Sequence, residues 1–131
     1  MNLIFTDGAS KGNPGPASIG VICYQDETKK NIVFKISKKI GTATNNIAEW
    51  TALITALEIS IEQNLIDILL NLDSELVVKQ FKGEYKTKNP ELLQLKERAI
   101  KLSKQIPNLK IQHIRRELNK EADKLANEAF Q

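Results

Sequence analysis

A chain of 131 residues, 41% of them hydrophobic, is long enough for one domain whose core needs neither disulfides nor a structural metal as staples. Its 19 Lys and Arg against 16 Asp and Glu leave a formal charge of +3, which admits an anionic partner without demanding one. The lone Cys23 excludes an internal disulfide framework, and no apolar run approaches the roughly 18 residues of a membrane span. A soluble, cytoplasmic protein is expected, one domain over residues 1–131, with no membrane association and no obligate protein partner.

Residues 2–6 are predicted to form a first strand that stops on Asp7 and enters the turn-rich segment 8–16. Within Asn13-Pro14-Gly15-Pro16, Pro14 presets φ and Gly15 is expected to take the positive φ of a type II turn. Strands at 17–24 and 31–37, joined by a polar turn at 25–30, complete a meander. The period then changes. Over 46–63, Thr51, Thr55, Glu58 and Glu62 recur at spacings of four and three, one polar stripe on an otherwise apolar and largely buried helix. Residues 66–72 read as a continuous apolar strand, suited to a central position covered on both faces, and run into Asp73. A short helix over 74–81 follows. Asn89 caps the next helix, with Pro90 at its first position, Glu91 near the positive end of the dipole, and Leu92, Leu95, Ile100 and Ile106 on its apolar face to about residue 105. A last strand at 109–114 leads through Arg115-Arg116-Glu117 to a helix over 119–130.

The order is βββαβααβα. Hairpin-linked strands are antiparallel and crossover-linked strands parallel, so an α/β fold is expected, with helices flanking a five-stranded mixed sheet. Ligands of such sheets gather beyond the carboxyl ends of the parallel strands. If the first and fourth strands are neighbours, about 4.8 Å apart, Asp7 and Asp73 reach a common cation there.

Two further acids lack a routine explanation. Glu49 lies roughly 200° around its helix from the Thr51 stripe and projects to the buried side, although an acid in a first turn also favours the helix dipole. Asp123 borders the apolar line Ala122, Leu125, Ala126 and Ala129, with no lysine at 119 or 127 to pair with. The lysines and Arg98 between residues 79 and 104 fit either a basic flank or an ion-paired, solvated helix face.

Carboxylates converging within about 4 Å repel by roughly 4 kcal/mol per pair at an effective dielectric near 20, which a bound cation would relieve. All-oxygen ligation suits Mg²⁺ or Mn²⁺, and one His and one Cys cannot build a structural zinc site. Two such ions about 3.5–4 Å apart suit phosphodiester cleavage, with a polynucleotide as substrate.

Four motifs then occur in order: Thr6-Asp7-Gly8-Ala9-Ser10 with Gly12-Asn13-Pro14-Gly15-Pro16; Thr44-Asn45-Asn46-Ile47-Ala48-Glu49; Leu72-Asp73-Ser74; and His113 with Asn119-Lys120-Glu121-Ala122-Asp123-Lys124-Leu125-Ala126. Through them the chain resembles the type 1 ribonuclease H family over nearly its whole length. The resemblance implies a ribonuclease H-like fold in which Asp7, Glu49, Asp73 and Asp123 are the metal-binding catalytic acids. It implies action on the RNA strand of an RNA·DNA hybrid, leaving 5′-phosphate and 3′-hydroxyl ends. It makes His113 the residue assisting proton transfer or product release. Asn13, Asn45 and Asn46 would lie around ribose 2′-hydroxyls and Thr44 at a DNA phosphate, with Gly8 and Ser10 also against the substrate; the 2′-OH is what distinguishes RNA from DNA. Capping of the 46–63 helix by Asn45-Asn46 is a second duty that the same residues allow.

The chain departs from some members at two places. The connection 82–88 is too short for a tryptophan-bearing basic handle, so modest hybrid affinity is expected, and Glu75 stands where some members carry Gln near the minor groove. Two alternatives keep the fold: an inert hybrid-binding module, and another nuclease of the superfamily acting on DNA.

Overall fold

Three hairpin-linked strands, β1 (Asn2–Ser10), β2 (Gly15–Tyr24) and β3 (Ile32–Ala43), open the chain in a computed structural model that describes all residues from Met1 to Gln131. They are followed by α1 (Asn45–Glu62), β4 (Asp67–Leu72), α2 (Glu75–Phe81), α3 (Pro90–Ser103), β5 (Asn108–His113), a 3₁₀ turn at Arg116–Leu118 and α4 (Lys120–Glu128). The five strands form one sheet in the order β3-β2-β1-β4-β5. The hairpin pairs are antiparallel, and β1–β4 and β4–β5 are parallel, giving the mixed sheet that the element order dictates. No helix is long and apolar enough to cross a membrane.

The alternation along β1 decides what covers each face. Ile4 points with Ile68, Leu70 and Leu72 into a core that α1, α2 and α3 close through Trp50, Leu53, Leu57, Val77 and Ala99. Leu3 and Phe5 point the other way and, with Ile22 and Tyr24, pack against Ala122 and Leu125 of α4. Helix α1 is apolar almost all round because sheet and α3 enclose it; its stripe at Thr51, Thr55 and Glu58 remains only partly exposed. Asn89 caps α3 as its sequence requires, its Oδ1 accepting from the amides of Glu91 at 2.9 Å and Leu92 at 3.2 Å.

Several local expectations give way to tertiary pairing. β1 does not stop before Asp7: its ladder with β2 continues to Ser10↔Ala17, and only the parallel pairing with β4 ends at Thr6↔Leu72. β3 runs to Ala43 because β2 supplies partners to a stretch whose lysines show no apolar alternation. The positive φ before β2 falls on Gly12, at +128°, not on Gly15. Gly15 instead opens β2, where a Cβ would lie 2.5 Å from the Lys11 carbonyl oxygen. The cap of α1 is Thr44, whose hydroxyl accepts from the Ile47 amide at 3.2 Å; Asn45 and Asn46 are already helical. In the basic segment, Arg98 pairs with Glu58 and Lys79 with Glu75. Residues 82–89 join α2 to α3 without any further helix.

Candidate metal and nucleic-acid site

Past the last β1–β4 rung the two strands separate, and the next residue on each is an aspartate: Asp7 after Thr6, Asp73 after Leu72. The notch between them admits side chains from both layers. From one layer comes Glu49, because Gly8 lacks a Cβ. A methyl there would lie 2.3 Å from the carbonyl carbon of Ala48 and 2.4 Å from the amide nitrogen of Glu49, so the first turn of α1 rests directly on the strand. The Gly8 amide donates to Glu49 Oε1 at 2.8 Å, fixing that carboxylate. Oxygens of Asp7, Glu49 and Asp73 consequently lie within 4.8 Å of one another.

From the other layer comes Asp123. Gly20, the ladder partner of Asp7, has no side chain to hold α4 away; a Cβ there would fall 2.1 Å from the Ala122 carbonyl oxygen. Asp123 thereby enters the cleft from the first turns of α4, in the same cavity as the three clustered acids but outside their 4.8 Å group. Asn119, buried at the start of that helix, donates through Nδ2 to the Thr6 carbonyl at 2.9 Å and to Asp73 Oδ2 at 3.1 Å. One amide thus ties both strand ends and α4 together.

The clustered acids are held against their ordinary ionisation. Burial, then the charges of Glu49 and Asp73, push the Asp7 carboxyl far above the usual carboxylate range. Burial also raises Glu49, opposed by hydrogen bonds from Asp7 and the Gly8 amide and by the positive charge of Arg116. Glu49 Oε2 is buried and has no hydrogen-bond partner. An orphaned carboxylate oxygen facing two further carboxylates is a donor set that a hard divalent cation satisfies, so Asp7, Glu49 and Asp73 fit a metal.

The cleft around them has a volume of about 410 Å³ and is walled also by Gly8, Ser10, Asn45, Arg116, Asp123 and Asn127. Asn13 stands at its margin, its Oδ1 accepting from the Asn45 amide at 3.0 Å and so bracing the 11–14 loop against α1. Ser10 donates to the carbonyls of Gly12 and Ala43, the latter at 2.8 Å. Thr44 is engaged in the cap, and Asn46 is half-buried outside the cleft wall. His113 is not among the wall residues. It pairs with Leu72 on the last β4–β5 rung, is exposed, and lies 3.8 Å through Nδ1 from Glu75 Oε2. Glu75 is thus turned toward His113 and Lys79. Arg116, Asn119 and Asn127 were not expected in the site. Their signal was the spacing: Asn119 and Asn127 stand four residues either side of Asp123, and Asn127 donates to the Asp123 carbonyl at 3.0 Å.

The chain matches the reverse transcriptase-like family over residues 5–129. It is 43% identical over 126 residues to ribonuclease HI of Halobacterium salinarum, a match covering 96% of this chain and 62% of that protein. It is 36% identical over 128 residues to the bifunctional protein Rv2228c of Mycobacterium tuberculosis, covering 98% of this chain and 35% of that protein. The chain thus spans less than two thirds of the length of these two relatives. Among solved structures, the crystal structure of RNase H1 from Halobacterium salinarum superposes with a TM-score of 0.93 at 42% identity, covering 98% of this chain and 96% of that one. That of LC11-RNase H1 in complex with RNA/DNA hybrid gives a TM-score of 0.89 at 42% identity, with the same coverage of 98% and 96%. These matches, with the sheet order and the acid cluster, define a reverse transcriptase-like protein, and within that class the chain belongs to the ribonuclease H family. The family depends on metal, and the carboxylate cluster supplies a place to hold one.

Proposed function

We propose that this chain is a cytoplasmic endonuclease that hydrolyses the RNA strand of RNA·DNA hybrids, leaving 5′-phosphate and 3′-hydroxyl ends, with residues 1–131 as one catalytic unit. The observation that carries the reading is the convergence of Asp7, Glu49 and Asp73 within 4.8 Å, with Asp123 in the same cleft. Its support is the relatives' named activity and the hybrid bound in the LC11-RNase H1 structure.

Asp7, Glu49, Asp73 and Asp123 would hold Mg²⁺ or Mn²⁺, two ions with substrate bound. Bound divalent cations supply Lewis-acid activation of a water and neutralise charge on the leaving oxygen. The protein's own residues do the rest. Gly8 and Asn119 hold Glu49 and Asp73 in fixed orientations, so the donor set is assembled before substrate arrives. Arg116 offsets the charge of Glu49 and offers the cleft wall a fork of donors for a phosphate oxygen. Asn45 at the helix start, braced by Asn13, presents amide groups suited to ribose hydroxyls, with Gly8 and Ser10 along the same wall. Asn46 in the same first turn would also serve ribose hydroxyls, and Thr44 at the cap of α1 a phosphate of the DNA strand. His113, the last residue of β5 and 3.8 Å from Glu75, serves proton transfer or product release from outside the cleft.

Incubation of the protein with labelled RNA·DNA hybrid, duplex DNA and duplex RNA, each with Mg²⁺, Mn²⁺ or EDTA, tests the proposal. Cleavage of the RNA in the hybrid alone, abolished by EDTA, is expected. Cleavage of duplex DNA, or hybrid cleavage that survives EDTA, overturns it.

A further inference from the structure

A second cavity, of about 390 Å³, opens beside the acidic cleft on the face of the sheet that α4 covers; Lys11, Lys39, Thr42 and Phe130 are in its walls and no carboxylate is. Lys11 Nζ lies 4.4 Å from the centroid of the Phe130 ring, a cation–π contact that holds the ammonium over an aromatic floor. Neither lysine has an ion-pair partner.

The placement of Lys39 and Thr42 follows from a β-bulge. Lys39 stands opposite Ser18, whose hydroxyl donates to the Ala126 carbonyl of α4, so both side chains rise on that face. The register then shifts: Gly41 pairs with Ala17, Ile40 is left over, and Gly41 adopts φ +85°. An extra residue of this kind re-aims those that follow. Thr42, opposite Pro16, therefore joins Lys39 on one face. An unbroken alternation would have set Gly41 there.

Both walls of this cavity continue from the cleft. Ser10 and Asn127 line the cleft; Lys11 is the next residue along one wall, and on the other the Phe130 amide bonds back to the Asn127 carbonyl at 3.2 Å. The cleft itself is rich in carboxylates with Arg116 as its one cation, a poor electrostatic seat for a polyanion beyond the metal-bound phosphate. The adjoining cavity has the opposite character.

We propose that the Lys11–Lys39–Thr42 cavity is a phosphate subsite of the nucleic-acid track, holding a backbone phosphate of the substrate a few nucleotides from the bond at the acids. Two ammonium groups and a hydroxyl converge on one phosphodiester, and Phe130 fixes the position of Lys11. The proposal rests on the reading that the substrate is a polynucleotide.

The test compares the parent protein with a Lys11→Ala/Lys39→Ala double variant, its Lys11→Arg/Lys39→Arg counterpart, and a charge-matched control, Lys101→Ala/Lys104→Ala, at the C-terminal end of α3. Binding of a fluorescent RNA·DNA hybrid is followed by anisotropy in EDTA across a salt series, and kcat and KM are measured with Mg²⁺. The alanine pair is expected to weaken binding about 10-fold near 0.1 M salt and to flatten the log K against log salt slope by about 2. KM should rise with kcat within about twofold, the arginine pair restoring both affinity and slope and the control changing neither. Unchanged affinity and slope, or equal losses in the control pair, overturn the proposal. So does inorganic phosphate at constant ionic strength that binds the parent through these lysines while the alanine pair still holds hybrid normally, since that marks a free-anion site. A protein that binds hybrid through Lys11 and Lys39 yet cleaves nothing would uphold the subsite and refute the catalytic reading.

Discussion

Asp7 and Gly20 face each other across the β1–β2 ladder, and at Gly20 the backbone of α4 leaves no room for a side chain. The acid and the gap that lets α4 reach it therefore belong to a single rung. Gly20→Ala would drive a methyl into the Ala122 carbonyl and lift α4, at a cost of about 1–3 kcal/mol in stability. Activity should fall by more than 10-fold, as Asp123 withdraws. Denaturant titration and hybrid cleavage check both, against Gly83→Ala, where a Cβ meets nothing within 4 Å but strains a φ of +80°, so that stability falls there without the loss of activity. Equal losses of activity at the two glycines would show that α4 is not held through Gly20.

Asp7→Asn should abolish cleavage and stabilise the metal-free protein. Asp7 and Glu49 both titrate above their unfolded values, so the folded protein holds the extra protons from about pH 4 upward and loses stability as pH climbs through that window. The variant's advantage in EDTA should therefore grow from near zero at pH 4 to about 1–3 kcal/mol at pH 8. Thermal melts across pH measure it. An advantage independent of pH would mean that carboxylate repulsion is not its source.

Removing Arg116 withdraws the positive charge that draws Glu49 toward ionisation. Arg116→Ala should lower kcat/KM by about 10-fold or more and move the acidic limb of the pH–rate profile upward. Arg116→Lys, which keeps the charge but not the forked geometry, should recover the pH limb more fully than the rate. A rate loss without any movement of the limb would confine Arg116 to contact with substrate.

Asn119→Ala strips the amide shared by Thr6 and Asp73 and leaves the Thr6 carbonyl buried without that donor. A loss of about 1–3 kcal/mol is expected, together with weaker divalent-ion binding measured by calorimetry. Asn119→Asp should be worse on both counts, because it adds a further acid to the cluster. Full retention of ion affinity in the alanine variant would show that Asp73 needs no such support.

Much of this architecture was readable from residue pattern, and the exceptions share a cause. Asp7, Glu49, Asp73 and Asp123 stood out because each is a charge on an element otherwise bound for the core. The polar stripe of α1 and the Asn89-Pro90 start of α3 carry their own local chemistry. Where the outcome depended on a partner strand, local reading fell short: the lysine-rich half of β3 is held by β2, and β1 continues past Asp7 for the same reason. Arg116, Asn119 and Asn127 resemble ordinary surface residues near the chain end until α4 docks and turns them into the cleft. Gly12 takes the positive φ expected of Gly15, whose lack of a side chain answers instead to the nearby Lys11 carbonyl.

Helix α4 packs with β1 and β2 in an apolar cluster of 6 buried residues, separate from the one of 18 under α1 and α3. Its detachment leaves the larger cluster whole, so warming should undock it while the rest of the molecule is still intact. Heat would then silence the protein before melting it, by carrying off Asp123 and the Asn119 brace at a single stroke.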